Sequence, residues 1–469
     1  MKRRPPLSLL LILPLIISHG VRPAAAQRQE VDFAELERVA LAELQETGTP
    51  GAAVAVVRGD RVVFAKGLGV ANVETGAPVT PDVLFHAGSL TKMFTAAALV
   101  ALAEEGKIKL DAPVGDYAKG LSPGLARVTA HQLLSQTSGL KDVPGDYGSH
   151  EEAALGEFAR SLKDEDLLIE RGRAFSYSNP GYALAGYVIE QVTGKPYADA
   201  MNERLFGPLG MTRTTPRPTL AMTYPLALGH AARGQEKPAV VRPVADDTRL
   251  WPAGYVFTSL NDLTRFVVAL MNEGRLEGRQ VLPAGVSARL FSPYVEIPTN
   301  VFANGEYAYG FFAHDYRGSR MFEHGGSLPG YSSEVRLLPA EHVAVVILNN
   351  RDGVRLNKTF AKAFELMLPS LKARAPAATQ PKAPLPVGEA EMSRLAGTYV
   401  NRWPVELTSR DGKLFLRQFG AELPVTKVGE NRFSVTPPGA ARGQEFLVVN
   451  GADGKPAYLQ MALWVFRRV

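Results

Sequence analysis

The 469-residue sequence predicts an α/β (α+β) fold: an antiparallel sheet flanked by helices, a helical lobe, and a small all-β barrel at the end of the chain. Two observations lead to this prediction. Strand-like patterns occur near the start of the chain and again at 307–349, with mainly helical sequence between them, which favours a sheet built from both ends of one domain. A stretch rich in Ala, Pro and Lys at 371–388 then precedes a final segment that is strand-like throughout.

Residues 1–26 have the pattern of a secretory signal peptide. Positive charges at 2–4 precede an apolar run at 7–17, which is too short to cross a bilayer comfortably, and small residues at 24–26 offer a cleavage site. The alternative is an uncleaved anchor. The sequence contains no cysteine, which excludes disulfides, a thiol nucleophile and a lipid-modified cysteine. We therefore expect a periplasmic or secreted protein with no stable membrane anchor after signal cleavage.

Composition and charge are those of an ordinary globular protein. The apolar fraction is 46% and the charged fraction 21%. The net charge is +5, but four positive residues (Lys2, Arg3, Arg4 and Arg22) lie in the predicted signal, so the remaining chain carries +1. No basic stripe interleaved with aromatic residues is present, and we expect no nucleic-acid partner.

Local periodicity predicts the individual elements. In chain order these are a helix at 31–48, strands at 52–57 and 61–65, a helix from Ser89 to Gly106, helices at 128–135 and near 151–163, a helix entered at Pro180 with Asn179 as its N-cap, a helix at 260–273, antiparallel strands at 307–315, 319–324, 332–338 and 343–349, and a helix at 358–368. Polar, irregular residues at 141–170 are interpreted as an insertion covering the rim of a site. The predicted boundaries are a signal at 1–26, a main domain at 27–370, a linker at 371–388 and a barrel at 389–469, in which Asp411-Gly412 is a hairpin signal.

Ser89 and Lys92 are the first candidates for chemistry. They open a helix that is apolar nearly all the way round, and their spacing places them on one face about one turn apart. Burial and the positive end of the helix dipole both disfavour an ammonium there, so we expect a lowered lysine pKa and an amine that serves as a base beside a hydroxyl nucleophile. A second Ser-x-x-Lys pattern, Ser138 to Lys141, lies in a polar turn-like segment, and we interpret that lysine as solvated.

Two further motifs complete the set. Tyr177 and Asn179 lie on a loop that enters a helix, and His324-Gly325-Gly326-Ser327 lies at the end of a predicted strand. In this order the three motifs resemble the active-site motifs of the penicillin-recognising serine hydrolases, most closely the class C β-lactamase branch with its D-Ala carboxypeptidases, D-aminopeptidases and esterases. The flanking sequences at 133–140 and 254–263 also resemble that branch, and the final segment resembles its lipocalin-like accessory domain.

The resemblance implies a role for each catalytic candidate. Ser89 would be the acylated nucleophile, and Lys92 and Tyr177 would share the transfer of its proton to the leaving group. Asn179 would hold the lysine and contact a substrate amide. The backbone amides of Ser89 and Ser327 would form an oxyanion hole.

The His-Gly-Gly strand is where this sequence departs from many members of the family. His324 stands where they have the lysine of Lys-Thr-Gly, and a histidine near pH 7 is mostly neutral. We therefore expect weaker selection for substrate carboxylates. Gly325 and Gly326 are expected to lack side chains so that a substrate can lie against the strand.

These features predict a serine hydrolase that acts through an acyl-enzyme on a β-lactam, a D-amino-acid peptide or a carboxylic ester. The substrate would be a small molecule or peptide, with peptidoglycan fragments among the candidates, and no cofactor or metal is expected. The alternative is a catalytically idle relative that binds peptidoglycan or a partner. A second Tyr-x-Asn pattern, Tyr399 to Asn401, is interpreted as structural.

Overall fold

The main sheet contains strands from both ends of the predicted main domain, as expected. The computed structural model describes residues 31–143, 145–232, 236–302, 304–372, 383–440, 443–451 and 453–469. Within these residues the sheet has eight strands: β1 (Gly51–Arg58), β2 (Arg61–Gly69), β3 (Val295–Glu296), β4 (Glu306–Tyr307), β5 (Phe312–Tyr316), β6 (Ser319–Leu328), β7 (Tyr331–Leu338) and β8 (Val343–Asn349). Their order is β2-β1-β8-β7-β6-β5-β4-β3, and each neighbouring pair is antiparallel. The predicted fold class is confirmed.

Helices cover the sheet and form the lobe between β2 and β3. The longer ones are α1 (Ala34–Thr47), α2 (Thr91–Glu104), α3 (Asn179–Thr193), α4 (Leu260–Met271) and α5 (Asn357–Met367). Shorter helices include Pro123–Ala126, Ala130–Leu134, Ala154–Ser161, Tyr197–Met201, Trp251–Gly254 and Gly285–Leu290. Helix α2 is buried along its first twelve residues, in agreement with its apolar sequence. It therefore lies in the middle of the core and holds the residues at its start rigidly.

Three element predictions need correction. The N-cap of α3 is Ser178, whose Oγ accepts the Gly181 N–H at 3.1 Å, because Asn179 already belongs to the helix and its side chain binds elsewhere. The strand predicted at 307–315 is split into β4 and β5, since the chain turns at Gly310 against the backbone of α2. Strand β6 runs four residues past the predicted end and includes the whole His-Gly-Gly-Ser motif.

The last segment closes into an eight-stranded antiparallel barrel among the described residues. A helix at Glu389–Leu395 precedes strands β9 (Gly397–Val400), β10 (Pro404–Arg410), β11 (Lys413–Gln418), β12 (Ala421–Gly429), β13 (Arg432–Val435), β14 (Gln444–Asn450), β15 (Pro456–Met461) and β16 (Trp464–Arg468). Inward-facing apolar side chains such as Leu416, Phe433 and Phe446 fill its core. The Asp411-Gly412 hairpin has positive φ at both residues, as its sequence predicts.

The barrel is hydrogen-bonded to the segment that enters α3. The Tyr177 N–H donates to Leu463 O at 2.8 Å, the Gln460 side-chain amide donates to Phe175 O at 3.1 Å, and the Val465 N–H donates to Ser176 Oγ at 3.2 Å. These bonds fix the backbone of residues 175–177, which we call the Tyr177 segment, from the barrel side.

The predicted signal peptide and most of the predicted linker lie outside the described residues. The described helices include none that is long and apolar enough to cross a membrane.

Candidate active site

Ser89 lies in a tight turn (Gly88–Leu90) immediately before α2 and is half-buried. Gly88 has φ +54°, and a Cβ on it would lie 2.6 Å from the backbone nitrogen of Ser327. Only glycine therefore permits this approach. As a result the start of α2 packs directly on β6, and the backbone amides proposed for the oxyanion hole belong to two segments in contact.

Lys92 is fully buried, and acceptors surround its amine. Nζ lies 2.7 Å from Asn179 Oδ1, 2.7 Å from Ala253 O and 3.3 Å from Ser89 Oγ. The amide and backbone oxygens only accept, whereas a serine hydroxyl both donates and accepts. A neutral amine can thus donate its two N–H bonds to the two oxygens and keep its lone pair for the Ser89 proton.

Burial lowers the pKa of Lys92 to about 7. The cause is the removal of the ammonium from water, and the carboxyl of Asp142 acts in the opposite direction without cancelling it. A large fraction of the protein therefore carries the neutral amine near pH 7. The sequence predicted this direction.

Tyr177 lies between the amine and the barrel. Tyr177 and Ser89 line both cavities of the site, and the Tyr177 ring centroid is 4.6 Å from Lys92 Nζ. Burial raises the pKa of Tyr177 well above its ordinary value, so the side chain stays a neutral phenol. A phenol in that position can pass a proton on, but it does not begin as a phenolate base.

Gln136 holds the Tyr177 segment from the core side, and sequence reasoning did not assign it a role. Its side-chain carbonyl accepts the Ser178 N–H at 2.8 Å, and its backbone carbonyl accepts the Ser176 N–H at 2.9 Å. The residue is fully buried and has φ +60°, an uncommon conformation for a glutamine. The 133–140 segment, which contains it, was noted only for its resemblance.

Asp142 is a second residue that sequence reasoning missed, because its neighbours resemble a polar turn. The residue is 2% exposed, and Oδ1 accepts the Asn179 N–H at 2.9 Å. Oδ2 accepts the Trp464 indole N–H at 3.3 Å and lies 3.5 Å from the Arg402 guanidinium. The carboxylate thus links the start of α3 to the barrel.

The two patterns set aside in the sequence have structural contacts. Lys141 pairs with Asp166 at 2.7 Å and is partly exposed. Asn401 accepts the Asp142 N–H at 2.9 Å and donates to Val465 O at 2.6 Å, which places it at the junction of the barrel and the core.

His324 is 1% exposed and lies on β6 facing the aromatic rings around Tyr177. Its Nδ1 is 2.8 Å from Gly325 O, and its Nε2 is 3.4 Å from the Tyr307 hydroxyl. Burial, assisted by the charge of Lys92, lowers the pKa of His324 to about 3. The imidazole is therefore uncharged throughout the neutral pH range.

The structure gives a packing reason for one of the two glycines of the motif. A Cβ on Gly326 would lie 2.0 Å from Ala87 O, so this glycine is required by the contact between β6 and the turn before Ser89. A Cβ on Gly325 would lie 3.2 Å from the Arg355 guanidinium, a flexible group. The packing contact at Gly326 is a reason for glycine beside the expected one, and the expectation that both glycines make room for substrate stays a prediction.

Two cavities meet at Ser89, Tyr177 and Ser327. The larger has a volume of about 420 Å³ and extends along β6 past His324 and Gly325. The smaller, about 140 Å³, is bounded by residues that include Asn179 and Arg402. Trp464 of the barrel lines both, although the sequence showed no cluster of catalytic residue types in the barrel.

The eight predicted site residues therefore lie around one junction. Ser89, Lys92, Tyr177 and Asn179 are linked by direct contacts, and residues 324–327 form the adjoining strand. In the part of the chain that the structure describes, no group of three or more His, Cys, Asp or Glu side chains is placed to hold a metal ion.

Comparison with known proteins adds an independent observation. The Beta-lactamase family model matches residues 33–366. Penicillin-binding protein 4 of Amycolatopsis lactamdurans is 32% identical over 76% of this chain and 94% of its own length. Protein flp of Staphylococcus aureus (strain N315) is 28% identical over 67% of this chain, which spans only 62% of that relative.

Solved structures show the same architecture. The crystal structure of SurE superposes with a TM-score of 0.76 at 25% identity and covers 93% of this chain and 98% of its own. SurE with D-Leu gives a TM-score of 0.73 at the same identity. A class C beta lactamase from Rhodobacter sphaeroides gives 0.56 at 25% identity, and covers 72% of this chain and all of its own.

Proposed function

Because the chain belongs to the Beta-lactamase family, we propose that it is an exported serine hydrolase that acts through an acyl-enzyme on amide or ester bonds. The observation that carries the proposal is the arrangement of Ser89 Oγ 3.3 Å from a buried amine whose other acceptors are both 2.7 Å away. With its two N–H bonds donated to those two oxygens, a neutral Lys92 keeps its lone pair for the serine proton.

Acylation begins with the transfer of the Ser89 proton to Lys92 Nζ as Oγ forms a bond to the substrate carbonyl carbon. The negative charge that develops on the carbonyl oxygen is stabilised by the backbone N–H groups of Ser89 and Ser327. The carbon–nitrogen or carbon–oxygen bond then breaks. The proton on Lys92 reaches the leaving group through the Tyr177 hydroxyl, which is a neutral phenol and can donate one proton while accepting another.

Deacylation uses the same groups in the reverse direction. Water loses a proton through Tyr177 to the neutral Lys92 and attacks the ester carbon, and the proton returns to Ser89 Oγ as the acyl group leaves. Asn179 donates nothing to the amine, since its Oδ1 is the acceptor at 2.7 Å. It keeps the amine oriented throughout the cycle.

The substrate belongs to one of three classes: β-lactams, D-amino-acid peptides or carboxylic esters. The names of Penicillin-binding protein 4 and of SurE with D-Leu support the first two for this chain. A neutral His324 supports weak selection for carboxylates and so keeps esters and neutral amides in the set. Arg355 also lines the larger cavity, but it pairs with Glu334 at 3.7 Å, which lowers its attraction for a second anion.

Export to the periplasm or the medium is part of the proposal. It rests on the sequence pattern at 1–26 and on the family. N-terminal sequencing of the protein recovered outside the cytoplasm, with a new terminus after residue 26, is the expected result.

The test is a substrate panel of a chromogenic cephalosporin, a peptide ending in D-Ala-D-Ala and a p-nitrophenyl ester, each with wild type and Ser89→Ala. A fluorophosphonate should add to wild type and not to Ser89→Ala by intact-mass measurement. Equal turnover of every substrate by the two proteins, with no adduct, would end the proposal.

A further inference from the structure

A line of aromatic side chains leads from the catalytic tyrosine across the barrel. The centroids of Tyr177 and Trp464 are 6.5 Å apart, those of Trp464 and Trp403 are 5.2 Å apart, and those of Trp403 and Phe419 are 5.2 Å apart. We call these four rings the aromatic strip. Its inner end lies at both cavities and its outer end is Phe419, which is 76% exposed.

Phe419, the outer residue of the strip, is an unusual choice for its position in the fold. Phe419 and Gly420 form the two-residue turn between β11 and β12, with φ of +50° and +77°. Such turns favour Asn, Asp or Gly at both positions, and left-handed backbone is unfavourable by about 1–2 kcal/mol for a residue with a bulky side chain. The two-residue turn between β10 and β11 has the favoured pair Asp411-Gly412. Phe419 therefore combines an unfavourable backbone with a largely exposed apolar ring whose ring contact is with Trp403.

The inner end of the strip is rigid. The Trp464 indole N–H donates to the buried carboxylate of Asp142, and the preceding residue, Leu463, accepts the Tyr177 N–H. The Asp142 carboxyl is paired with Arg402 at 3.5 Å, and Asp146 also lines the smaller cavity beside Trp464. The indole face itself is a fixed apolar surface, and such a surface suits an apolar group better than an ionic one.

We propose that the aromatic strip binds apolar side chains of a peptide substrate, on the acyl side of the bond that Ser89 attacks. The acyl side is part of the proposal: Trp464, Arg402 and Asn179 line the smaller cavity together, and the resemblance implies that Asn179 contacts a substrate amide. The steps of the strip, 5.2 to 6.5 Å each, span at most about five extended residues. The substrate class is thus an oligopeptide with apolar residues before the reacting carbonyl. This inference rests on the proposed function.

The test uses two p-nitrophenyl esters of capped peptides that share the reacting residue and the leaving group. One has Phe at the three preceding positions and the other has Ser. Wild type is expected to prefer the Phe ester about tenfold or more in kcat/KM. In Phe419→Asn, which installs a favoured turn residue and so keeps the hairpin, the preference should fall several-fold. Met222→Asn removes an apolar side chain that is 70% exposed and lines neither cavity, and it should keep the wild-type ratio.

The outcomes separate this proposal from the one it rests on. Hydrolysis of p-nitrophenyl acetate that is the same in wild type and Ser89→Ala ends the proposed function. Ser89-dependent hydrolysis with an equal preference ratio in wild type and Phe419→Asn overturns the strip alone, as does a wild type that shows no preference. Binding to phosphatidylglycerol vesicles that Phe419→Asn abolishes, with the ratio unchanged, would assign Phe419 to a membrane surface and also overturn it.

Discussion

The buried amine of Lys92 should make the stability of the protein depend on pH in a way that one substitution removes. Its pKa is about 7 in the folded protein and 10.5 when unperturbed. Between these two pH values the unfolded chain binds more protons than the folded one, so stability rises with pH across that window. Below pH 7 the buried lysine lowers the free energy of unfolding by its full amount, and above pH 10.5 this cost is absent. The full penalty is about 5 kcal/mol.

Lys92→Met removes the titrating group and keeps most of the volume. It also leaves Asn179 Oδ1 and Ala253 O without their donor, which costs about 1–3 kcal/mol for each buried acceptor. That cost does not change with pH. At pH 7 the two effects nearly offset each other, so a single measurement there decides little. The pH dependence of the difference in unfolding free energy between the two proteins reports on the amine alone.

Urea unfolding of wild type and Lys92→Met at several values between pH 6 and pH 9 is the assay. Between pH 7 and pH 9 the free energy of unfolding of wild type should rise by about 2 kcal/mol relative to that of Lys92→Met. The acylation rate of wild type should rise in parallel, with an apparent pKa of about 7. Stability curves that stay parallel over this range would show that the lysine is protonated in the folded protein, and the proposed base would be lost.

Three other substitutions test the surroundings of the site. Ser178→Ala removes the N-cap of α3 and should lower the free energy of unfolding by about 1 kcal/mol in urea titrations, with most of the activity kept; no loss of stability would contradict the capping assignment. Gly326→Ala should abolish acylation by a fluorophosphonate, since its Cβ would meet a backbone oxygen at 2.0 Å, whereas Gly325→Ala meets only a flexible side chain and should retain it; equal effects would refute the packing argument. Gln136→Leu should destabilise the protein by about 1–3 kcal/mol and lower kcat more than it raises KM, because the Ser178 N–H loses its acceptor; an unchanged kcat would show that Gln136 does not position the Tyr177 segment.

Much of the fold could be predicted from periodicity and glycine placement. The apolar sequence after Ser89 predicted a central helix, and the change to period two predicted the run of strands from β4 to β8. The split between β4 and β5 could not be predicted, because the cause is a contact with α2 more than two hundred residues earlier. The cap of α3 was placed one residue late for a similar reason, since the Asn179 side chain is drawn to Lys92.

The eight candidate residues could be selected because their types and order carry information, and the structure places them around one junction. The resemblance to the class C β-lactamase branch is confirmed at the level of the family. Gln136 and Asp142 were missed because a polar residue in a turn-like segment gives no sign of burial. Trp464 was missed because nothing local relates a tryptophan near the end of the chain to a serine near its start. Roles that arise only from tertiary contacts leave no local pattern in one sequence.

The contacts around α3 explain why the barrel belongs to the site. The proposed role of Tyr177 requires its phenol to lie beside Ser89, and its backbone N–H donates to Leu463 of the barrel rather than to the core. Asp142 then binds the start of α3 with one oxygen and Trp464 with the other. A shift of the barrel would leave a buried N–H and half of a buried carboxylate without partners, at a cost of several kcal/mol. The barrel and the segment that carries Tyr177 are therefore positioned as one unit.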